Sequence, residues 1–160
     1  MIRINDLRRT ALMFAVLVLP GTALYSQHLN VISDSGQKTV LGRAEIETLP
    51  HVKATTSSAT YEGVSLKSVL EKGGVSFGES LKGKRMALCL LAEAADDYRV
   101  VIALPEMDPA FTDKQIILAF LKDGKPLDEK EGPFRIVIPD EKRMARWIRQ
   151  VTTLKVVAVQ

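Results

Sequence analysis

Tyr61-Glu-Gly-Val-Ser-Leu-Lys-Ser-Val-Leu-Glu-Lys-Gly-Gly74 passes from strand to helix within a few residues. Tyr61 to Val64 reads as a strand end and Ser65 as a helix N-cap. Leu66, Val69 and Leu70 then share one helical face at i, i+3 and i+4, which predicts a helix over 66–72 stopped by Gly73-Gly74. This stretch is answered by Gly132-Pro-Phe-Arg-Ile-Val-Ile-Pro-Asp-Glu-Lys-Arg-Met-Ala-Arg-Trp147. Here Phe134 to Ile138 predicts a strand. Asp140 to Ile148 predicts one or two helical turns with Met144, Trp147 and Ile148 facing inward.

The intervening and flanking residues read mostly as strands. Arg85–Ala94 and Tyr98–Leu104 are joined by Ala95-Asp96-Asp97, the right length for a tight hairpin. The run Met86–Ala92 is nearly all apolar, so this strand is expected to be buried on both faces. Gln115–Leu121 predicts another strand, followed by a turn at Asp123-Gly124-Lys125-Pro126. Strands are also expected at Leu29–Ser33, at His51–Thr56 and over the alternating Val151–Val159. Arg43–Thr48 predicts a short helix that Pro50 stops. The fold class is α+β: mostly β, about seven or eight short strands with two or three short helices.

The chain has 160 residues, 46% of them hydrophobic and 26% charged, which predicts one folded domain with a real core. Its formal charge of +3 gathers at the front, where Arg3, Arg8 and Arg9 face only Asp6. No basic block with interleaved aromatics supports nucleic-acid binding. Residues 1–26 read as a signal peptide and residues 27–160 as the folded domain. After the arginines comes the apolar run Ala11–Leu19, then Pro20-Gly21 and the small residues Thr22, Ala23 and Ser26. That run is too short to span roughly 30 Å of hydrocarbon, so the mature chain is not expected to be an integral membrane protein. Cleavage after Ser26 or after Ala23 fits. Neither matches Ala-x-Ala cleanly, so an uncleaved anchor stays open. Arg8-Arg9 raises twin-arginine export, although Leu7, Ala11 and the strongly apolar run suit the general secretory route better. The expected location is the periplasm or cell envelope. The single cysteine, Cys89, leaves such a chain without an internal disulfide.

Few residues offer chemistry on their own. Gly73-Gly74 and Gly78 lack the spacing of a phosphate-binding loop. His28 and His51 lie far apart without partners at ligand spacing. Ser57 and Ser58 have no positioned base nearby. Cys89, among Leu88, Leu90 and Leu91, reads as an inert core thiol. Asp96-Asp97-Tyr98-Arg99 reads as a charged hairpin tip. Lys142, Arg143, Arg146 and Arg149 flank Trp147. They form either a solvated face or an anion contact, since guanidinium forks suit phosphate oxygens.

In order and spacing these features resemble the sulfite oxidase-type molybdopterin-binding domain. The matching residues are Tyr61, Gly63, Leu66, Val69 and Leu70, then Asp96, Asp97 and Tyr98, then Ile117–Phe120 with Asp123-Gly124-Lys125-Pro126-Leu127. They end with Gly132-Pro133, Arg135, Val137, Pro139, Arg143, Arg146 and Trp147, so the resemblance covers about 29–159. It implies that family's fold, a molybdopterin cofactor and redox chemistry. It also implies a molybdenum-binding cysteine shortly before the Tyr-x-Gly helix, where this chain carries Val52 to Thr60, including Ser57 and Ser58, and no cysteine. A hydroxyl does not replace the soft thiolate. The Asn-Arg stretch that follows the cysteine in relatives is missing, and the segment after Pro139 is shorter. Arg143 and Arg146 stand where relatives have lysines.

The expectation is therefore an exported, cofactor-free binding module, with no metal site and no catalytic residues. It would bind a small anionic ligand at Arg143 and Arg146, or an envelope protein partner. The alternative is a molybdopterin-dependent oxidoreductase, or a subunit of one, that holds the cofactor without the cysteine. A third reading is a structural subunit whose partner carries the chemistry.

Overall fold

In the computed structural model, which describes residues 27–159, the alternating runs become ten strands in two sheets. The signal-peptide reading falls on 1–26 and lies outside the described residues. The first sheet takes β1 (His28–Ile32), β2 (Lys38–Gly42), β5 (Leu88–Ala94), β6 (Arg99–Ala103) and β10 (Val151–Ala158), in the order β2-β1-β10-β5-β6. The second takes β3 (His51–Thr55), β4 (Thr60–Ser65), β7 (Ile117–Lys122) and β8 (Lys125–Pro126) in that order, with β9 (Arg135–Val137) also pairing with β7. β1 and β10 pair in parallel, and the other described pairs are antiparallel. Two short helices complete the frame, α1 (Arg43–Ile46) and α2 (Leu66–Lys72).

Helix α2 has the expected bounds, and Leu66, Val69 and Leu70 are its buried face. Ser65 sits at its N-cap position without a side-chain capping bond. The first backbone N–H of the helix, on Leu66, instead donates to Ile116 O at 3.0 Å. One contiguous core takes residues from both sheets and from α2, including Leu29, Leu90, Leu154, Phe120, Ile136 and Leu70. The β7–β8 turn has Asp123 at φ 50° and Gly124 at φ 75°, the twisted geometry that matches a two-residue hairpin.

Three expectations fail on burial and local conformation. Gly83–Ala87 is a 3-10 turn, so β5 starts only at Leu88. β5 is not buried on both faces: Leu88, Leu90, Ala92 and Ala94 point inward, while Cys89, Leu91 and Glu93 are only half-buried. The strand whose leading residues are buried on both faces is β7, with Ile117 to Phe120 all buried between β4 on one side and β8 and β9 on the other. The 140–148 segment is a single 3-10 turn at Met144–Arg146. Met144 points outward, 53% exposed, while Trp147 and Ile148 are buried.

Candidate functional site

The two stretches that set the fold meet at Tyr61 and Trp147. Their rings pack edge to face, with centroids 6.0 Å apart, and Trp147 Nε1 donates to Ile138 O at 3.0 Å. Arg135 lies over both rings, its Cζ 5.4 Å from the Tyr61 centroid and 5.8 Å from that of Trp147. Its guanidinium pairs with Glu131 and donates to the Tyr61 hydroxyl at 3.4 Å. Lys122 Nζ shares Glu131 at 3.3 Å. Burial pulls the Lys122 ammonium down, but the Glu131 hydrogen bond together with the charges of Tyr61 and Glu131 outweighs it and raises the pKa. Two cations and one carboxylate thus form a mutually paired cluster, with Arg135 buried and Lys122 and Glu131 half-buried.

The basic segment lies on the far side of Trp147. Arg146 is held by Glu141, with Nε donating at 2.7 Å, and by Glu106 at 3.4 Å; it also reaches Val101 O at 3.4 Å. Glu106 accepts from Lys114 Nζ at 2.9 Å and from the Ala103 backbone N–H at 3.3 Å. Burial pushes the Glu106 carboxyl up, but the Lys114 and Arg146 hydrogen bonds outweigh it and hold the group at about 2. The Arg146 guanidinium therefore ties the segment to the end of β6. Arg143 and Arg149 are exposed and have no ion pair among the described residues.

Between this segment and the β5–β6 hairpin lies a cleft of about 220 Å³, lined by Asp96, Tyr98, Met144, Trp147, Ile148 and Arg149 among others. The Tyr98 hydroxyl donates to Ala145 O at 2.8 Å and ties the hairpin to the segment. Among the described residues, Arg149 supplies the only cation in the wall, and neither Arg143 nor Arg146 lines it. A groove of about 340 Å³ at Ser65, Lys67, Met107 and Lys114 is larger. Its lysines are already paired, Lys67 with Glu71 at 3.0 Å and Lys114 with Glu106 at 2.9 Å.

Ser57 and Ser58 sit elsewhere, exposed at the tip of the β3–β4 hairpin in the second sheet. The hydroxyl that organises this tip belongs to Thr56: its Oγ1 accepts from the Ser58 and Ala59 N–H groups at 3.2 and 3.1 Å. No described hydrogen bond or ion pair joins these serines to Arg143 or Arg146, and the serines do not line the cleft. Cys89 is on β5, in the first sheet, half-buried between Ala103 and Val157 rather than in the core. His51 contacts Glu62 at 3.3 Å, and no group of three metal-ligating side chains occurs among the described residues. Sequence reading singled out the arginines but missed Glu106 and Glu141. An acidic residue has no sequence signal for a partner 40 positions away, as in Arg146–Glu106.

Comparison with known proteins gives a consistent result. No curated protein sequence matches the chain significantly. A solved structure, the sulfane dehydrogenase SoxCD from Paracoccus pantotrophus, shares the fold with a TM-score of 0.65 and 17% sequence identity. The likeness covers 84% of this chain and 39% of that one, so the chain spans about two-fifths of that relative's length. A family model described as the oxidoreductase molybdopterin binding domain matches residues 31–159. That model spans most of the chain, and the chain belongs to the oxidoreductase molybdopterin-binding domain family.

Proposed function

We propose that this chain is an exported binding module that keeps the molybdopterin-domain fold without the cofactor, and that it takes a small anionic ligand at the Tyr98–Arg149 cleft. The donor set carries this reading. At the β3–β4 hairpin, where the family resemblance implies a molybdenum-binding cysteine, Ser57 and Ser58 offer only hydroxyls, and Thr56 Oγ1 is committed to the backbone of its own turn. Cys89 is on a different sheet. Hard hydroxyl oxygens do not substitute for a soft thiolate. The residues present therefore do not fit a cysteine-bound molybdenum centre. The cleft, at about 220 Å³, is also smaller than the roughly 300–1,000 Å³ usual for cofactor-sized ligands.

A few-atom anion suits the cleft better. Arg149 offers a guanidinium without an ion pair among the described residues, in the same wall as Tyr98, and Arg143 adds positive charge one residue before Met144 of that wall. Arg146, in contrast, is neutralised by Glu106 and Glu141, so its part is to position the segment. Export rests on the arginine-plus-apolar pattern of the first 26 residues.

The competing reading, an oxidoreductase or subunit that holds the pterin non-covalently, draws on the family membership. Molybdenum and pterin analysis of protein purified from its native envelope separates the two. No signal is expected, and a near-stoichiometric signal overturns the cofactor-free reading. The ligand site is tested by titrating inorganic phosphate while following the Trp147 indole N–H by NMR. A saturable shift is expected, abolished by Arg149→Ala and weakened by Arg143→Ala. An unchanged titration in Arg149→Ala removes the cleft as the site.

A further inference from the structure

The outward face of the first sheet carries an apolar patch on β5, β6 and β10 that is left partly open to solvent. On β5, β6 and β10 the inward side chains Leu90, Ile102 and Leu154 are wholly buried. Their neighbours on the other face are not. In register across the sheet, Leu91 lies opposite Val101 and Cys89 lies between Ala103 and Val157. Val101 is 52% exposed, and Val159, one step beyond Val157 on the same side, is 66% exposed. This patch is contiguous and none of its residues lines the cleft, so it is independent of the ligand reading above. Contiguous apolar surface of this kind marks an interaction site, in contrast to single exposed apolar residues.

The charges on this face select the occupant. Glu93 is paired with Arg99 at 3.2 Å. Lys155, opposite Leu91, and Lys38, opposite Ile32, have no ion pair among the described residues. Lys155, Ile32 and Lys38 lie in one row across β10, β1 and β2, which puts the two lysines about 10 Å apart at the spacing of neighbouring strands. A second copy docked with this row on its own equivalent would bring these lysines against their own kind, and like charges across an interface cost affinity. A membrane surface is a poorer match. Interfacial binding draws on Trp, Phe and many basic residues, whereas this face carries Leu91, valines and small side chains, with these two lysines and the Glu93–Arg99 pair.

We infer that this face docks another protein chain, one that presents an apolar surface with carboxylates about 10 Å apart to meet Lys155 and Lys38. The sheet is about 20 Å across, enough for an amphipathic helix to lie on it.

The test uses the full chain in its native host, with a photo-crosslinking amino acid placed at Val101, and at Lys53 on the second sheet as a control. The expected result is one discrete adduct at Val101, absent at Lys53, joining the chain to a different protein. Lys38→Glu with Lys155→Glu should lower its yield by about tenfold or more, and lysines in place of the partner's carboxylates should restore it. Circular dichroism of the double variant checks that both exposed substitutions leave the fold intact. An adduct of twice the chain's mass, a lipid adduct, no adduct, or an adduct indifferent to charge reversal each overturns the inference.

Discussion

At the scale of single residues, two positions fix how closely the second sheet can close. Gly63 sits at a register shift in the β4–β7 pairing, and a Cβ there would lie 2.1 Å from Leu118 O and 2.6 Å from Ala119 Cα. Both contacts are backbone, so no side chain can swing away. Gly63→Ala should cost about 3 kcal/mol, read as a lower urea midpoint with unchanged slope. Arg135 is the second position. Arg135→Met removes the guanidinium that lies over Tyr61 and Trp147 and leaves Glu131 with Lys122 alone, and a largely buried pair broken on one side costs about 3 kcal/mol. A urea midpoint unchanged from the parent would show that Lys122 alone satisfies Glu131. Tyr61, Gly63 and Trp147 were legible in the sequence because their spacing is local to a strand-to-helix stretch and a strand-to-turn stretch. The Lys122–Glu131–Arg135 cluster was not, since three ordinary surface-type residues become a paired, partly buried network only when β7 and β9 pair.

At the scale of elements, sequence periodicity predicted type well and burial less well. Helix α2, the β5–β6 hairpin and the long last strand are where alternation and capping signals put them. β5 was misread because an apolar run records composition, whereas which faces are covered depends on what packs there. Met144 was misread because a three-residue 3-10 turn does not hold the 3.6-residue period long enough to turn it inward. The same turn is held by Arg146 on Glu106 and Glu141, and this gives the element a pH signature. Glu106 sits at about 2 in the folded chain, below its ordinary value of 4.5, because two cationic hydrogen-bond donors outweigh its burial. A depressed carboxylate contributes stability that is complete above about pH 4.5 and is lost as pH falls toward about 2. The stability advantage of the parent over Glu106→Gln should therefore stay constant from neutral pH down to about 5 and shrink below that. Chemical denaturation at stepped pH measures it, and an advantage that persists undiminished at pH 2.5 would place the effect elsewhere.

At the scale of the whole molecule, the question is whether two sheets of five strands fold as one unit or two. The core is a single contiguous cluster drawn from both sheets and α2, with the Cβ position of Gly73, at the helix end, already against Val31 of the first sheet. Trp147 lies where the sheets are joined in sequence. β9 of the second sheet precedes it, β10 of the first follows it, and Ile136 N–H donates to Ile148 O across the junction at 2.9 Å. It is also the only tryptophan. Its fluorescence therefore reports on the junction alone, while far-UV circular dichroism reports on both sheets. If the core is one cooperative unit, the two signals should give coincident urea midpoints and slopes. The paired polar cluster beneath Trp147 argues the same way, because opening the junction would expose Arg135, Glu131 and Lys122 together rather than one at a time. A Trp147 transition at clearly lower urea than the circular dichroism transition would show the junction melting before the sheets, and the cleft beside it would then belong to a separately mobile segment.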